Sequence, residues 1–142
     1  DGKLYCSPFN AASVLVVDPS TGAVSYLEHP DLQEGGLKYT GIASAPDGKL
    51  YCCPCNAGSV LVVDPSTGTL SFLQHPDLQE GGIKYSGIAA GPDGKLYCSP
   101  MNANSVLVVD SSTGTLSTIQ HSAMQQLAGK YAGIAAGPGG RL

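Results

Sequence analysis

The sequence predicts an all-β chain assembled from four-stranded antiparallel meanders, and three observations carry that prediction. The chain repeats: Asp1-Gly2-Lys3-Leu4-Tyr5-Cys6 returns at residues 47–52 and again at 93–98, a period of 46 in both steps. Glycine and proline are dense, 19 and 10 among 142 residues, so turns interrupt the chain too often for long helices. Apolar residues within each period alternate or form short runs, as in Val60-Leu61-Val62-Val63, and that is strand patterning.

Each period divides the same way. Tyr39 to Ala45 is the first strand of a unit, and Pro46-Asp47-Gly48 supplies a tight hairpin in which Gly takes the positive φ that the turn requires. Lys49 to Cys53 is the second strand, and Pro54 to Ser59 a loop. Val60 to Val63 is the third, a β-branched run dense enough for burial on both faces. Asp64-Pro65-Ser66-Thr67-Gly68 turns the chain into Thr69 to Gln74, the fourth, and His75 to Tyr85 leads to the next unit. Short turns between consecutive strands make every unit an antiparallel meander.

A four-stranded meander of about 40 to 50 residues in tandem describes a β-propeller blade, whose faces are covered only by neighbouring blades. The repeats run 1–46, 47–92 and 93–138, with the start of a fourth at 139–142, all in one propeller segment. The first two copies differ at 11 positions and agree at 35, the mark of recent duplication. In the third, His29-Pro30-Asp31-Leu32-Gln33-Glu34 becomes His121-Ser122-Ala123-Met124-Gln125-Gln126. Gly-Ile-Ala, the Pro-Asp-Gly turn, Lys-Leu-Tyr, an Asn-containing loop and Val-Leu-Val-Val-Asp-Pro-x-Thr-Gly together resemble the NHL, YVTN and SMP-30-like group of propellers over the whole chain. That resemblance implies a fold rather than a function, since such scaffolds host lactonases, lyases, protein docks and RNA binders.

Three repeats fall short of the roughly four to eight blades that close a propeller. Residues 1–29 supply strands two to four of a blade without its first strand, and 131–142 supply a first strand and the start of a second. An open arc leaves apolar faces and unpaired edges in water. Either the chain belongs to a longer array, which the missing initiator Met and the near-identical copies favour, or identical chains complete one another, two sets of three making six blades.

Composition narrows the partners. Eleven acids against seven bases give a charge of −4, so no global basic field attracts nucleic acid or an anionic membrane. The apolar runs are far below the roughly 20 residues of a spanning helix, which predicts a water-soluble chain. The compartment stays open, because neither sequons nor pairable cysteines point to one.

Candidate site residues come in threes. Cys6, Cys52 and Cys98 share one strand position and read as small buried hydrophobes, since equivalent positions in stacked sheets lie about 10 Å apart, too far for a disulfide. Cys52-Cys53-x-Cys55 has no counterpart in the other copies and lacks a fourth zinc ligand, so no metal is expected. His29, His75 and His121 follow the fourth strand, either as a ring of imidazoles or as strand terminators. Lys38, Lys84 and Lys130 precede the first strand, as solvated cations or as a charged ring at a channel mouth. Tyr39, Tyr85 and Tyr131 line the inner wall or pack in the core. The resemblance implies that the second-to-third and fourth-to-first loops share the ligand-binding face, which here carries Asn10, Asn56, Asn102, the lysines and the acidic segments 31–34 and 77–80.

No catalytic residue and no cofactor is expected. SMP-30-like hydrolases gather carboxylates and Asn around a divalent cation, and this sequence has Lys where such an acid is looked for. No Gly-x-Ser-x-Gly turn, His-Glu-x-x-His motif, phosphate loop or calcium loop occurs. The expected role is therefore a non-enzymatic binding or assembly scaffold, presenting its loop-rich face to a protein, a small ligand or further blades of the same or an identical chain. Two alternatives stand beside it: a fragment of a metal-dependent lactonase or hydrolase whose catalytic blades lie elsewhere, and a structural subunit within a large complex.

Overall fold

A computed structural model of the chain describes residues 1–124 and 127–139. Eleven strands form three antiparallel sheets. The first sheet holds β1 (Leu4–Cys6), β2 (Ser13–Asp18) and β3 (Ala23–Glu28). The central sheet holds β4 (Tyr39–Ser44), β5 (Leu50–Pro54), β6 (Ser59–Asp64) and β7 (Thr69–Gln74). The third holds β8 (Tyr85–Ala90), β9 (Leu96–Pro100), β10 (Ser105–Asp110) and β11 (Thr115–Gln120). In each sheet sequence neighbours pair in order, so the sheets are the meanders that define propeller blades. Among the described residues no helix is long and apolar enough to cross a membrane.

The expected central strands are present, with shifted ends. The first stops at Ser44 because the Ala45 N–H already bonds Lys49 O across the turn. The second starts at Leu50 and runs on to Pro54, which stands opposite Tyr39. Ser59 and Asp64 extend the third by pairing with Gln74 and Thr69, and Thr69–Gln74 is found as expected. The first strand expected from Tyr131 onward does not form in residues 131–139. Its neighbour would be a second strand of a fourth unit, whose expected start falls mostly on 140–142, outside the described residues.

Two aspartates stabilise every unit. Tyr5, Tyr51 and Tyr97 donate their hydroxyls to Asp1, Asp47 and Asp93 at 2.6, 2.7 and 2.7 Å, pinning the second strand to the hairpin before it. Asp18, Asp64 and Asp110 accept from the N–H and hydroxyl of the serine two residues on, the Asx arrangement that closes the other turn. The core lies between sheets rather than within one. Val14, Tyr39, Cys52, Leu61 and Val63 join the first sheet to the central one. Tyr51, Cys53, Val60, Leu96, Cys98 and Leu107 join the central to the third. Val60 to Val63 is buried on both faces because a sheet covers each, as the run of four predicts.

The inner strands converge on glycine. β4 and β8 each carry an irregularity in register at Gly41 and Gly87, whose φ values are +72° and +90°. A Cβ on Gly41 would stand 3.5 Å from Gly87 Cα, and one on Gly87 would stand 3.1 Å from Gly133 Cα. The repeated Gly-Ile-Ala therefore supplies the bulge and also the close approach of successive inner strands. Thr40 and Ser86 tie the same column together by donating to Tyr85 O and Ala132 O.

Candidate functional site

Four of the expected site positions assemble on one face of the arc. The linkers after β3 and β7 lie against the loops between the second and third strands, and backbone bonds splice them together. Gly35 N–H bonds Asn10 O at 2.6 Å and Lys38 N–H bonds Phe9 O at 2.7 Å, while the Lys38 carbonyl accepts from Cys55 and Ala57 of the next unit. The pattern recurs one period later at Gly81, Lys84, Asn56, Cys55 and Met101.

The asparagines clasp this belt. Asn56 Oδ1 accepts from Ile83 N–H at 2.7 Å and its Nδ2 donates to Gly36 O at 2.9 Å, so one side chain holds the linkers on both of its sides. Asn102 does the same with Gly129 N–H and Gly82 O, and Asn10 accepts from Leu37 N–H at 3.0 Å. Only a primary amide offers donor and acceptor in that geometry. The sequence shows the asparagines but not the clasp, since each partner lies 20 or 27 residues away.

The clasp imposes an unusual backbone on its partner. Leu37 and Ile83 adopt φ of +46° and +44°, a region L residues with bulky side chains avoid. The third copy places Gly129 there, at +66°.

The lysines are half-buried rather than freely solvated. Lys38, Lys84 and Lys130 donate Nζ to the linker carbonyls of Gly35, Gly81 and Leu127 at 2.8 to 2.9 Å. Burial pulls Lys84 and Lys38 below the usual lysine range, opposed at Lys84 by Cys55 and Glu80 and at Lys38 by Glu34. The histidines close the turn after each outer strand: Nδ1 of His29, His75 and His121 accepts from the N–H two residues on, at 3.0 to 3.2 Å. His29 also meets Phe72 of the central sheet edge to face, with ring centroids 5.0 Å apart.

Tyr39 and Tyr85 pack in the core, each 3.3 Å from a serine hydroxyl, Ser59 or Ser105. Burial pushes the Tyr39 hydroxyl up to about 12, with the Ser59 contact opposing it. Tyr131 is exposed. The thiols follow the same division: Cys52 and Cys98 are buried hydrophobes, as expected, and burial raises both, whereas Cys6 is exposed because nothing covers its side of the first sheet. Cys53 sits beside Cys98 across the sheet interface, a neighbour relation the repeat spacing alone does not reveal. All five cysteines are free thiols.

Between the two linkers lies a cleft of about 820 Å³, with Tyr39, Asn56, Phe72 and Leu78 among its lining. A second hollow of about 670 Å³ flanks the first linker on its other side, along Ser13, Glu28, His29 and Glu34. Asp31, Glu34 and Glu80 bring three exposed carboxylates to the cleft against one lining ammonium, Lys38. The net charge of the cleft lining is therefore negative. Among the described residues no group of three or more His, Cys, Asp or Glu side chains is placed to hold a metal ion.

No protein-family model matches the chain. No curated protein sequence matches it either. Solved structures do. Virginiamycin B lyase from Staphylococcus aureus, in complex with quinupristin, superposes with a TM-score of 0.75 at 18% identity over 99% of this chain and 44% of that one. A streptogramin B lyase gives 0.71 at 19% identity over 96% and 42%, and a chain of a nidogen/laminin complex 0.60 at 17% over 90% and 46%. The chain thus spans less than half the length of each. At these identities the likeness is one of fold, and together with the three stacked meanders it makes the chain a partial β-propeller.

Proposed function

We propose that the chain is a non-enzymatic binding or assembly scaffold, whose loop-rich face takes a cation-bearing protein segment or small ligand and whose sheet edges meet further blades of the same or an identical chain. The observation that carries the reading is the cleft: it lies between two linkers that Asn56 clasps, and Phe72 and Leu78 line it together with the carboxylates of Asp31, Glu34 and Glu80. A groove of this make suits an extended segment that lays apolar side chains on Phe72 and Leu78 and a Lys or Arg against Glu34 and Glu80. The alternative of a metal-dependent lactonase or hydrolase fragment draws no specific support from the propeller lyases, which at 18 to 19% identity speak only for the fold.

The test is an amide NMR titration with a short lysine-rich peptide. Shifts should cluster in residues 29–38, 55–58 and 75–84, fade with added salt, and weaken in Glu34→Gln/Glu80→Gln. Shifts spread equally over the tight turns of the opposite face, or none at all, would sink the reading.

A further inference from the structure

We propose that Cys53 and Cys98 form a redox-operated staple between the central and third sheets, open as a pair of thiols and closed as a disulfide. A peroxide closes it: the sulfurs bond to each other, and their two electrons and two protons break the peroxide O–O bond to give water. A dithiol reductant reopens it by exchange.

Side-chain direction brings the pair into one gap. Successive residues of a strand point to opposite faces, so Cys52 turns to the first sheet, among Leu61 and Val63, and Cys53 turns to the third. Cys98, the counterpart of Cys52, turns back toward the central sheet and shares a core cluster with Cys53. Equivalent residues of stacked sheets stay about 10 Å apart, but these two are not equivalent. Each reaches from its own sheet toward the other, both are fully buried, and the thiols lie within hydrogen-bonding reach.

The inner strands narrow the gap at this place. Thr40 stands opposite Cys53 in the central sheet and donates to Tyr85 O of the third at 3.2 Å. Ile88 stands opposite Cys98 and follows Gly87, whose Cα lies 3.5 Å from where a Cβ on Gly41 would be. The two sheets are therefore pinched together one strand away from both thiols.

The repeat supplies its own comparison. Where the central unit has Cys53, the other copies have Ser7 and Ser99, and the Ser99 hydroxyl donates to Ser86 O within its own sheet. At the junction of the first and central sheets Ser7 thus takes the place of Cys53, and Cys52 has no thiol to bond there. Burial sets the rate at the other junction. The attacking species is a thiolate, and burial holds the Cys98 thiol well above the usual range, so closure waits for a brief local opening.

The test uses Cys6→Ser, which removes the exposed thiol and leaves Cys52, Cys53, Cys55 and Cys98. After treatment with hydrogen peroxide, iodoacetamide should label two of these four thiols, and a tryptic digest should join peptide 50–84 to peptide 96–130. Urea below the unfolding midpoint should speed the joining about tenfold, because it populates the open junction. The link should persist in Cys52→Ser and in Cys55→Ser, and vanish in Cys98→Ala and in Cys53→Ser, the residue that the first and third copies already carry there. The closed chain should unfold at higher urea than the reduced one, and dithiothreitol should erase the difference. Four labelled thiols after oxidation, a link through Cys52 or Cys55, oxygen added to sulfur in place of a bridge, or a link formed only in the unfolded chain overturns the proposal.

Discussion

Leu61 and Val63 are fully buried in the central sheet, while Leu15 and Val17, the same residues at the same repeat positions, are only half-buried in the first. The strand around them is identical, Ser-Val-Leu-Val-Val-Asp in both sheets, and so is its pairing with the next strand. The difference therefore arises wholly from stacking. A blade's hydrogen bonds are local and travel with its sequence, but its hydrophobic stabilisation belongs to the pair of sheets.

The sharpest way to break that comparison is to cut the same side chain in both places. Leu61→Ala should cost about 2 to 5 kcal/mol by leaving a cavity between two sheets, and Leu15→Ala in dilute solution less than about 1 kcal/mol. Urea-unfolding midpoints at equal protein concentration measure both, and equal losses would mean that the first sheet is covered after all. The loop face offers a second contrast. Asn56→Ala removes two clasps and should cost about 2 kcal/mol, against about 1 kcal/mol for Asn10→Ala, which removes one recorded clasp. Hydrogen exchange should accelerate in both flanking linkers for the former and in residues 35–38 for the latter.

A smaller effect runs the other way. Ile83→Gly relieves the +44° backbone as Gly129 does in the third copy, and should raise the free energy of unfolding by about 0.5 kcal/mol, net of the chain entropy glycine adds. Loss of stability there would show that the isoleucine side chain, not its backbone, matters. The smallest effect concerns acid. The Ser66 hydroxyl holds the Asp64 carboxyl below its usual range, and the Tyr97 hydroxyl does the same for Asp93. A depressed carboxyl pKa adds stability above its unfolded value, near 3.9, and loses it as pH falls through the folded value. The midpoint should therefore drop below about pH 4, and Ser66→Ala should flatten that drop slightly.

How far the candidate site could be read from the chain is clearest at Asn56 and Lys84. Their recurrence every 46 residues is plain in the sequence, and in the structure both hold the belt between units. Their partners stay hidden, because a side chain that spans 20 or 27 residues leaves no local pattern. Lys84 reads as solvated because its neighbours Gly82, Ile83 and Tyr85 do not foretell that the linker folds its own carbonyl back onto Nζ. The glycine of Gly-Ile-Ala is visible as a motif, yet its reason, an inner strand within 3.5 Å, exists only once two units stack.

By itself the sequence determined the meander: period-two and β-branched runs make the strands, and Asp-Gly and Ser-Thr-Gly turns set their order, because both act within a few residues. Tertiary structure alone decided which copies of one residue are core and which are surface, as Tyr85 and Tyr131 show. It also decided where a cleft opens, between linkers 46 residues apart. The physical reason is that burial depends on what lies beyond a sheet's face, and identical repeats cannot encode which of them has a neighbour.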